Sequence, residues 1–150
     1  MTVARTFDAA GLNAVAAKAD IASDIGVAEG EEVSFDAVCE QSDRHIVVTN
    51  GVDAWMIAEF VSPAVYRCHS IFDTTCRGRA AVQAGKLLVK WMWDNTTASM
   101  LIGATPIENR KARLFNRWVG FSSDGLGMCF NPLRDYEAEW FHVCRPPLIT

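Results

Sequence analysis

The chain has 150 residues, 50% of them apolar and 21% charged, and a formal net charge of −4. That length builds one domain with its own core, spanning 1–150, and excludes two. No apolar run approaches the roughly 20 residues of a membrane helix, the acidic balance gives no long-range reason to expect nucleic acid, and Asp8 close after Arg5, with no apolar stretch behind it, argues against a secretory signal.

A weak strand is expected around Thr2–Arg5. Residues 7–22 are rich in Ala, with Phe7, Leu12, Val15, Ala16 and Ala19 near helical spacing, and predict a first helix. A short second helix over 34–39 is expected to be capped near Ser34. His45–Thr49 reads as a strand that meets Asn50-Gly51, a strong hairpin signal, with 52–61 as the return strand ended by Ser62-Pro63. Residues 64–72 form a third strand. Arg77–Asp94 then puts Ala80, Ala84, Leu87, Leu88 and Trp91 on one helical face. Ala98–Ala104 suits a buried strand, Thr105-Pro106 breaks the chain, and 108–119 predicts a helix with Leu114, Phe115 and Trp118 along one side. Gly120 sits where a helix C-cap needs positive φ. Two closing strands, 126–130 and 137–143, are joined through Asn131-Pro132. This order is α/β, with an antiparallel front half and a strand-helix-strand crossover behind it.

One segment points to a ligand. Arg77-Gly78-Arg79-Ala80-Ala81 is a small, basic helix start. Backbone N–H groups at such an end, with the helix dipole, suit a pyrophosphate, and small residues let the phosphate approach the backbone. The same residues would also fit a solvated basic turn, although positive charge there runs against the dipole. Thr75-Cys76-Arg77-Gly78-Arg79-Ala80, followed by Leu101-Ile102-Gly103, Pro106, Asn109, Ala112 and Gly120-Phe121, resembles the acyl-CoA site of the Gcn5-related N-acetyltransferase (GNAT) superfamily. The similarity spans about 52–143, with Thr75 where the family's loop begins on Gln or Arg. It implies a GNAT-type mixed, splayed central sheet with an antiparallel N-terminal half and flanking helices, and acetyl-CoA as co-substrate wedged into the splay. By that resemblance the backbone at Ile71 and Phe72 would hold the pantetheine, Arg77, Gly78, Arg79, Ala80 and Ala81 the pyrophosphate, and Asn109 the pantetheine arm.

Two positions depart from the family. Asn116 stands where many members carry a Tyr that protonates the leaving thiolate, and Arg67 stands where related enzymes have a Glu two residues before a His, here His69. His69 would take a proton from an amine at its ordinary pKa near 6.5, or is a core histidine bonded to backbone. Glu59, flanked by Ala58 and Phe60, would serve as base if its apolar setting raised its pKa, or is edge-facing or salt-bridged. Arg110, Lys111, Arg113 and Arg117 would approach the CoA phosphates or form a solvated helix face. Five cysteines without C-x-x-C spacing and three scattered histidines offer no metal pattern and read as reduced, mostly buried thiols. A nucleophilic role for Cys68 or Cys76 would need a thiolate-stabilising neighbour, and adjacent His69 points to the other face of a strand.

The resulting expectation is a cytoplasmic N-acetyltransferase that moves an acetyl group from acetyl-CoA to an amine of undefined class, with no membrane or nucleic-acid partner. A second expectation comes from similarity to small acetyltransferase-like proteins of tailed bacteriophages. It is a catalytically silent GNAT-fold assembly module of a virion, partnered by itself or by another virion protein. Exposure of Trp55, Trp93 or Trp140 would favour that alternative.

Overall fold

The computed structural model describes residues 2–130 and 135–148. In chain order it contains β1 (Ala4–Arg5), α1 (Ala10–Ala16), α2 (Ala19–Asp24), α3 (Asp36–Glu40), β2 (His45–Thr49), β3 (Ala54–Ser62), β4 (Val65–Phe72), α4 (Gly78–Asn95), β5 (Met100–Pro106), α5 (Arg110–Val119), β6 (Ser122–Cys129) and β7 (Tyr136–Cys144). The strands form a seven-stranded sheet in the order β1-β2-β3-β4-β5-β7-β6. β4 and β5 pair in parallel and every other neighbouring pair is antiparallel. The expected splayed, mixed sheet with an antiparallel front half is therefore present.

β3 reads Ala54-Trp55-Met56-Ile57-Ala58, five consecutive buried residues, as a strand covered on both faces should. Ile46, Val48, Ala54, Met56, Ala58 and Leu101 meet Ala81, Ala84, Leu88, Val89 and Met92 of α4 in one core. On the other face Val47, Trp55, Ile57 and Ile71 meet Leu12, Val15, Ile21 and Cys39 of the three N-terminal helices.

Several elements differ from expectation, each for a packing reason. The helix expected over 7–22 is two helices broken at Ala17-Lys18. At about 3.6 residues per turn, an unbroken helix would put Ile21 half a turn away from Leu12. The break lets both reach the sheet. Ser34 is not the cap of α3. Phe35 is, and its amide donates to Asn13 Oδ1 at 2.7 Å while Asn13 Nδ2 donates to Asp36 Oδ1 at 2.9 Å, which fastens α3 to α1. The hairpin after β2 is wider than two residues. Asn50 Oδ1 accepts from the amides of Val52, Asp53 and Ala54, so β3 starts at Ala54. The buried side of α4 is Ala81, Ala84, Gly85, Leu88, Val89 and Met92, rotated from the expected stripe, and Ala80 and Leu87 are exposed.

β5 begins later than expected and runs through Pro106. Arg145 holds the preceding turn by donating to the carbonyls of Trp93, Thr96 and Ala98. Pro106 is tolerated because β5 has already parted from β4, leaving no ladder bond for a missing N–H to break. Leu114 and Trp118 of α5 are exposed, and Phe115 alone of the expected trio packs on the core. Gly120 caps α5 at φ 119°, as its position predicts. The closing strands are longer than expected, and Asn131-Pro132 lies outside the described residues. No helix among the described residues is long and apolar enough to cross a membrane.

Candidate functional site

β4 and β5 pair only through Val65–Met100, Tyr66–Leu101 and Arg67–Ile102. Beyond that point residues 68–72 stay with β3 while 103–106 go with β7, so the sheet opens into a V. The facing backbone edges of the two strands have no strand partner there, and such groups must be met by something else. Ile71 is buried towards the N-terminal helices, and Phe72 stacks edge-on against Phe115 at 5.1 Å.

α4 begins beside the wide end of that V. Its N-cap, Arg77, is extended, and no side chain caps the helix or adds an acid to its first turn. Gly78 has φ 60° with no heavy atom within 4 Å of where a Cβ would stand. Arg77, Gly78, Arg79 and Ala80 are exposed, and Ala81 turns into the core. The result is an open, uncapped, positively charged helix end of eighteen residues' length. Lys18 reaches Asp73 at 2.6 Å and ties the α1–α2 joint to the loop leading into it.

His69 and Glu59 project from the same face of β4 and β3, opposite to the α4 side. In register, Ile57 faces His69 and Glu59 faces Arg67. His69 Nε2 lies 3.9 Å from Glu59 Oε2, with the two side chains 44% and 40% exposed. His69 is therefore no core histidine bonded to backbone. Burial of the ring's inner side lowers its pKa, Arg67 lowers it further, Glu59 opposes and His45 adds to the lowering. The lowered pKa favours the neutral imidazole. Burial pushes the Cys68 thiol, on the opposite face, up to about 12, and burial likewise raises Cys76. Neither supplies a thiolate nucleophile.

Arg67 does not bond Glu59. Its guanidinium swings across β5, donates from Nη2 to Cys129 Sγ at 2.8 Å, and lies 5.5 Å from the ring centroid of Trp140. Its Nε is buried and has no partner. Tyr136 completes this group. Burial and then its hydrogen bond to Cys129 push the phenol up to about 12, against the lowering effect of Arg67.

Asn109 is the N-cap of α5, its side chain accepting from the Ala112 amide at 3.2 Å. Asn116 donates to Thr105 Oγ1 at 2.8 Å, fixing α5 to β5. Of the basic residues on α5, Arg113 and Arg117 are held by Glu139, the first at 2.8 Å, while Arg110 and Lys111 stay exposed. Burial pushes the Glu139 carboxyl up, but hydrogen bonds from Ser123, Arg113 and Arg117, with the Arg117 charge, outweigh it and hold the pKa at about 2. Two of the four cations are thus structural.

The fold brings Ile71, Phe72, the 77–81 segment and the His69–Glu59 pair to the V, with Asn109 following the end of β5. Sequence reasoning missed Glu139 and the Arg67–Trp140–Tyr136–Cys129 group. Glu139 had a legible signal, since it shares the alternating parity of Phe141 and Val143 opposite a basic helix. The Arg67 group had none, because Arg67 on β4 lies 62 residues from Cys129. Trp55 is buried, Trp93 lies under Arg145 and Trp140 under Arg67, so none of the three is a free apolar anchor.

Residues 13–126 match the family model described as a protein of unknown function, DUF2824, and the chain belongs to that family. No curated protein matches it in sequence. The structure is similar to that of AAC(6')-Ib in complex with paromomycin and acetyl-CoA, with a TM-score of 0.74 at 14% identity, covering 96% of this chain and 93% of that one. It is also similar to a GNAT-family acetyltransferase from Bacillus anthracis, with a TM-score of 0.71 at 11% identity and coverages of 95% and 93%. A third, from Streptococcus pneumoniae, gives 0.70 at 12% identity with coverages of 96% and 99%. The fold is that of the GNAT acetyltransferases.

Proposed function

We propose that this protein is an N-acetyltransferase that uses acetyl-CoA as co-substrate, acting in the cytoplasm of a bacterial cell. The observation that carries the reading is the coincidence of the V between β4 and β5 with the uncapped start of α4 at Gly78. Both would be liabilities in a protein without a ligand. The amides of residues 78–81 take the pyrophosphate, with Arg77 and Arg79 adding charge, and the free backbone edge at Ile71 and Phe72 takes the pantetheine. The Asn109 side-chain amide meets the pantetheine arm while its oxygen caps α5. One GNAT-fold neighbour whose structure contains acetyl-CoA, and others that contain coenzyme A, support the same ligand.

In the reaction the amine nitrogen attacks the thioester carbonyl, forming a C–N bond as the C–S bond breaks. His69, neutral and backed by Glu59, takes the amine proton directly or through water. Holding both reactants on one face supplies proximity, and backbone N–H groups stabilise the developing oxyanion. With Asn116 committed to Thr105, the thiolate takes its proton from solvent.

A second reading, a catalytically silent assembly module of a tailed-bacteriophage virion, draws on a different observation. α5 and the edge strand β6 leave Leu114, Trp118, Leu126 and Met128 exposed. Release of free CoA thiol from acetyl-CoA, followed across a panel of small amines, decides between them. Amine-dependent release supports the enzyme. A ligand-induced rise in melting temperature without release from any amine favours the silent module.

A further inference from the structure

Glu59 and Arg67 are cross-strand partners on one face of the sheet, the arrangement in which an ion pair forms most readily. They turn apart instead. Glu59 leans to His69, and Arg67 crosses to β7 and the end of β6. Arg67 has no carboxylate within ion-pair distance among the described residues. Its partners are the Cys129 sulfur, the Tyr136 hydroxyl and the face of Trp140, none of them a carboxylate, and its buried Nε is unmatched. A half-buried guanidinium with no carboxylate partner gains most from an anion that completes it. The neighbouring surface is reachable, since Ile102, Ala104, Tyr136 and Trp140 are all only partly buried.

We propose that Arg67 binds a carboxylate on the amine acceptor, so that the substrate class is a small amino-carboxylate. The inference rests on the acetyltransferase reading and names its acceptor. The acceptor's amine faces His69 and Glu59 while its carboxylate lies against the Arg67 fork, with Trp140 packing on the guanidinium's other side. Positions 67 and 69 on one face of β4 are roughly 7 Å apart along the strand, and Arg67 reaches away from His69. That separation favours an acceptor whose two charged ends are several bonds apart. The separated charges of Glu59 and Arg67 complement such a zwitterion, whereas a paired Glu59–Arg67 would not.

The test compares 4-aminobutyrate with n-butylamine, and 5-aminopentanoate with n-pentylamine, as acceptors for the full chain and for Arg67→Gln and Arg67→Lys. The carboxylated member of each pair is expected to have the higher kcat/KM, by on the order of 10- to 100-fold, the worth of a charge-assisted hydrogen bond. Arg67→Gln should erase that preference mainly through KM, with Arg67→Lys restoring part of it. The acetyl-CoA-induced rise in melting temperature should be unchanged in both variants. Binding of 4-aminobutyrate, measured directly by ligand-observed NMR, should weaken in parallel. Equal use of the paired acceptors, or a preference that survives Arg67→Gln in a folded protein, overturns the Arg67 assignment alone. No response of the wild-type chain to acetyl-CoA overturns the acetyltransferase reading instead, and 4-aminobutyrate binding that is the same in wild type and Arg67→Gln then removes the carboxylate site as well.

Discussion

Substitution of Gly78 separates what the start of α4 does for stability from what it does for a ligand. Its φ of 60° is costly for any L side chain, by about 1–2 kcal/mol. No atom lies within 4 Å of a built Cβ, so sterics beyond the backbone add nothing. Gly78→Ala should therefore destabilise by about 1–2 kcal/mol, which lowers Tm by roughly 2–8 °C in a chain of this size. Gly78→Glu carries the same strain but puts a carboxylate at the positive end of the helix, returning about 0.3–1 kcal/mol. It should melt no lower than Gly78→Ala. Binding runs the other way. With acetyl-CoA at about 100 times its Kd, linkage raises the wild-type stability by about 2.7 kcal/mol. Gly78→Ala should keep most of that rise, and Gly78→Glu should lose it to charge repulsion with the pyrophosphate. Thermal melts of the three proteins with and without acetyl-CoA measure every quantity. A full ligand-induced rise in Gly78→Glu would refute the placement of the phosphates at this helix.

Other expectations follow from the same structure. A Cβ on Gly85 would stand 2.9 Å from both Phe115 Cζ and Val119 Cγ2, so Gly85→Ala should lose about 1–3 kcal/mol to overpacking, against about 1 kcal/mol gained in helix propensity. A net gain in Tm would mean α5 does not rest on α4 as described. Glu139→Gln should cost about 1.5–3 kcal/mol at neutral pH, read by denaturant titration, because two arginines lose a charged partner. The folded-state pKa of Glu139 lies below its unfolded value of about 4.3, so its contribution is full above that pH and is lost as pH falls towards about 2. Stability profiles of wild type and Glu139→Gln should converge over that window. If His69 is the base, His69→Ala should lower kcat by roughly 100-fold or more. The acid limb of the wild-type kcat/KM profile should fall below the ordinary histidine pKa, because the folded protein disfavours the imidazolium. An acid limb that persists in His69→Ala would move the role to Glu59 or water.

The alternation and turn chemistry around Asn50-Gly51 made β2 to β4 legible, and the helix start at Gly78 with the stop at Gly120 framed the crossover. Those features are local, set by residues close together in sequence. The break between α1 and α2 was not legible, because it answers to where Leu12 and Ile21 must meet the sheet. The buried stripe of α4 was misplaced for a related reason. Ala-rich helices carry little periodic contrast, and the partner surface chooses which small residues turn inward. In the candidate site, residues within one strand or loop could be proposed from sequence. The Arg67 group was hidden because its members come from β4, β6 and β7 and meet only when the sheet is assembled.

Arg145 joins the last strand to the middle of the chain. Its guanidinium takes three carbonyls from the end of α4 and the turn into β5, and its charge lies over Trp93. Until β7 has docked, those three side-chain hydrogen bonds are missing from the α4–β5 crossover. The end of the central helix is thereby locked by a residue 52 positions further along the chain. Closures across so much chain are slow to form, by the logic of contact order. A stalled or clipped chain lacking that arginine would expose a frayed helix end to the quality-control machinery before it could bind anything.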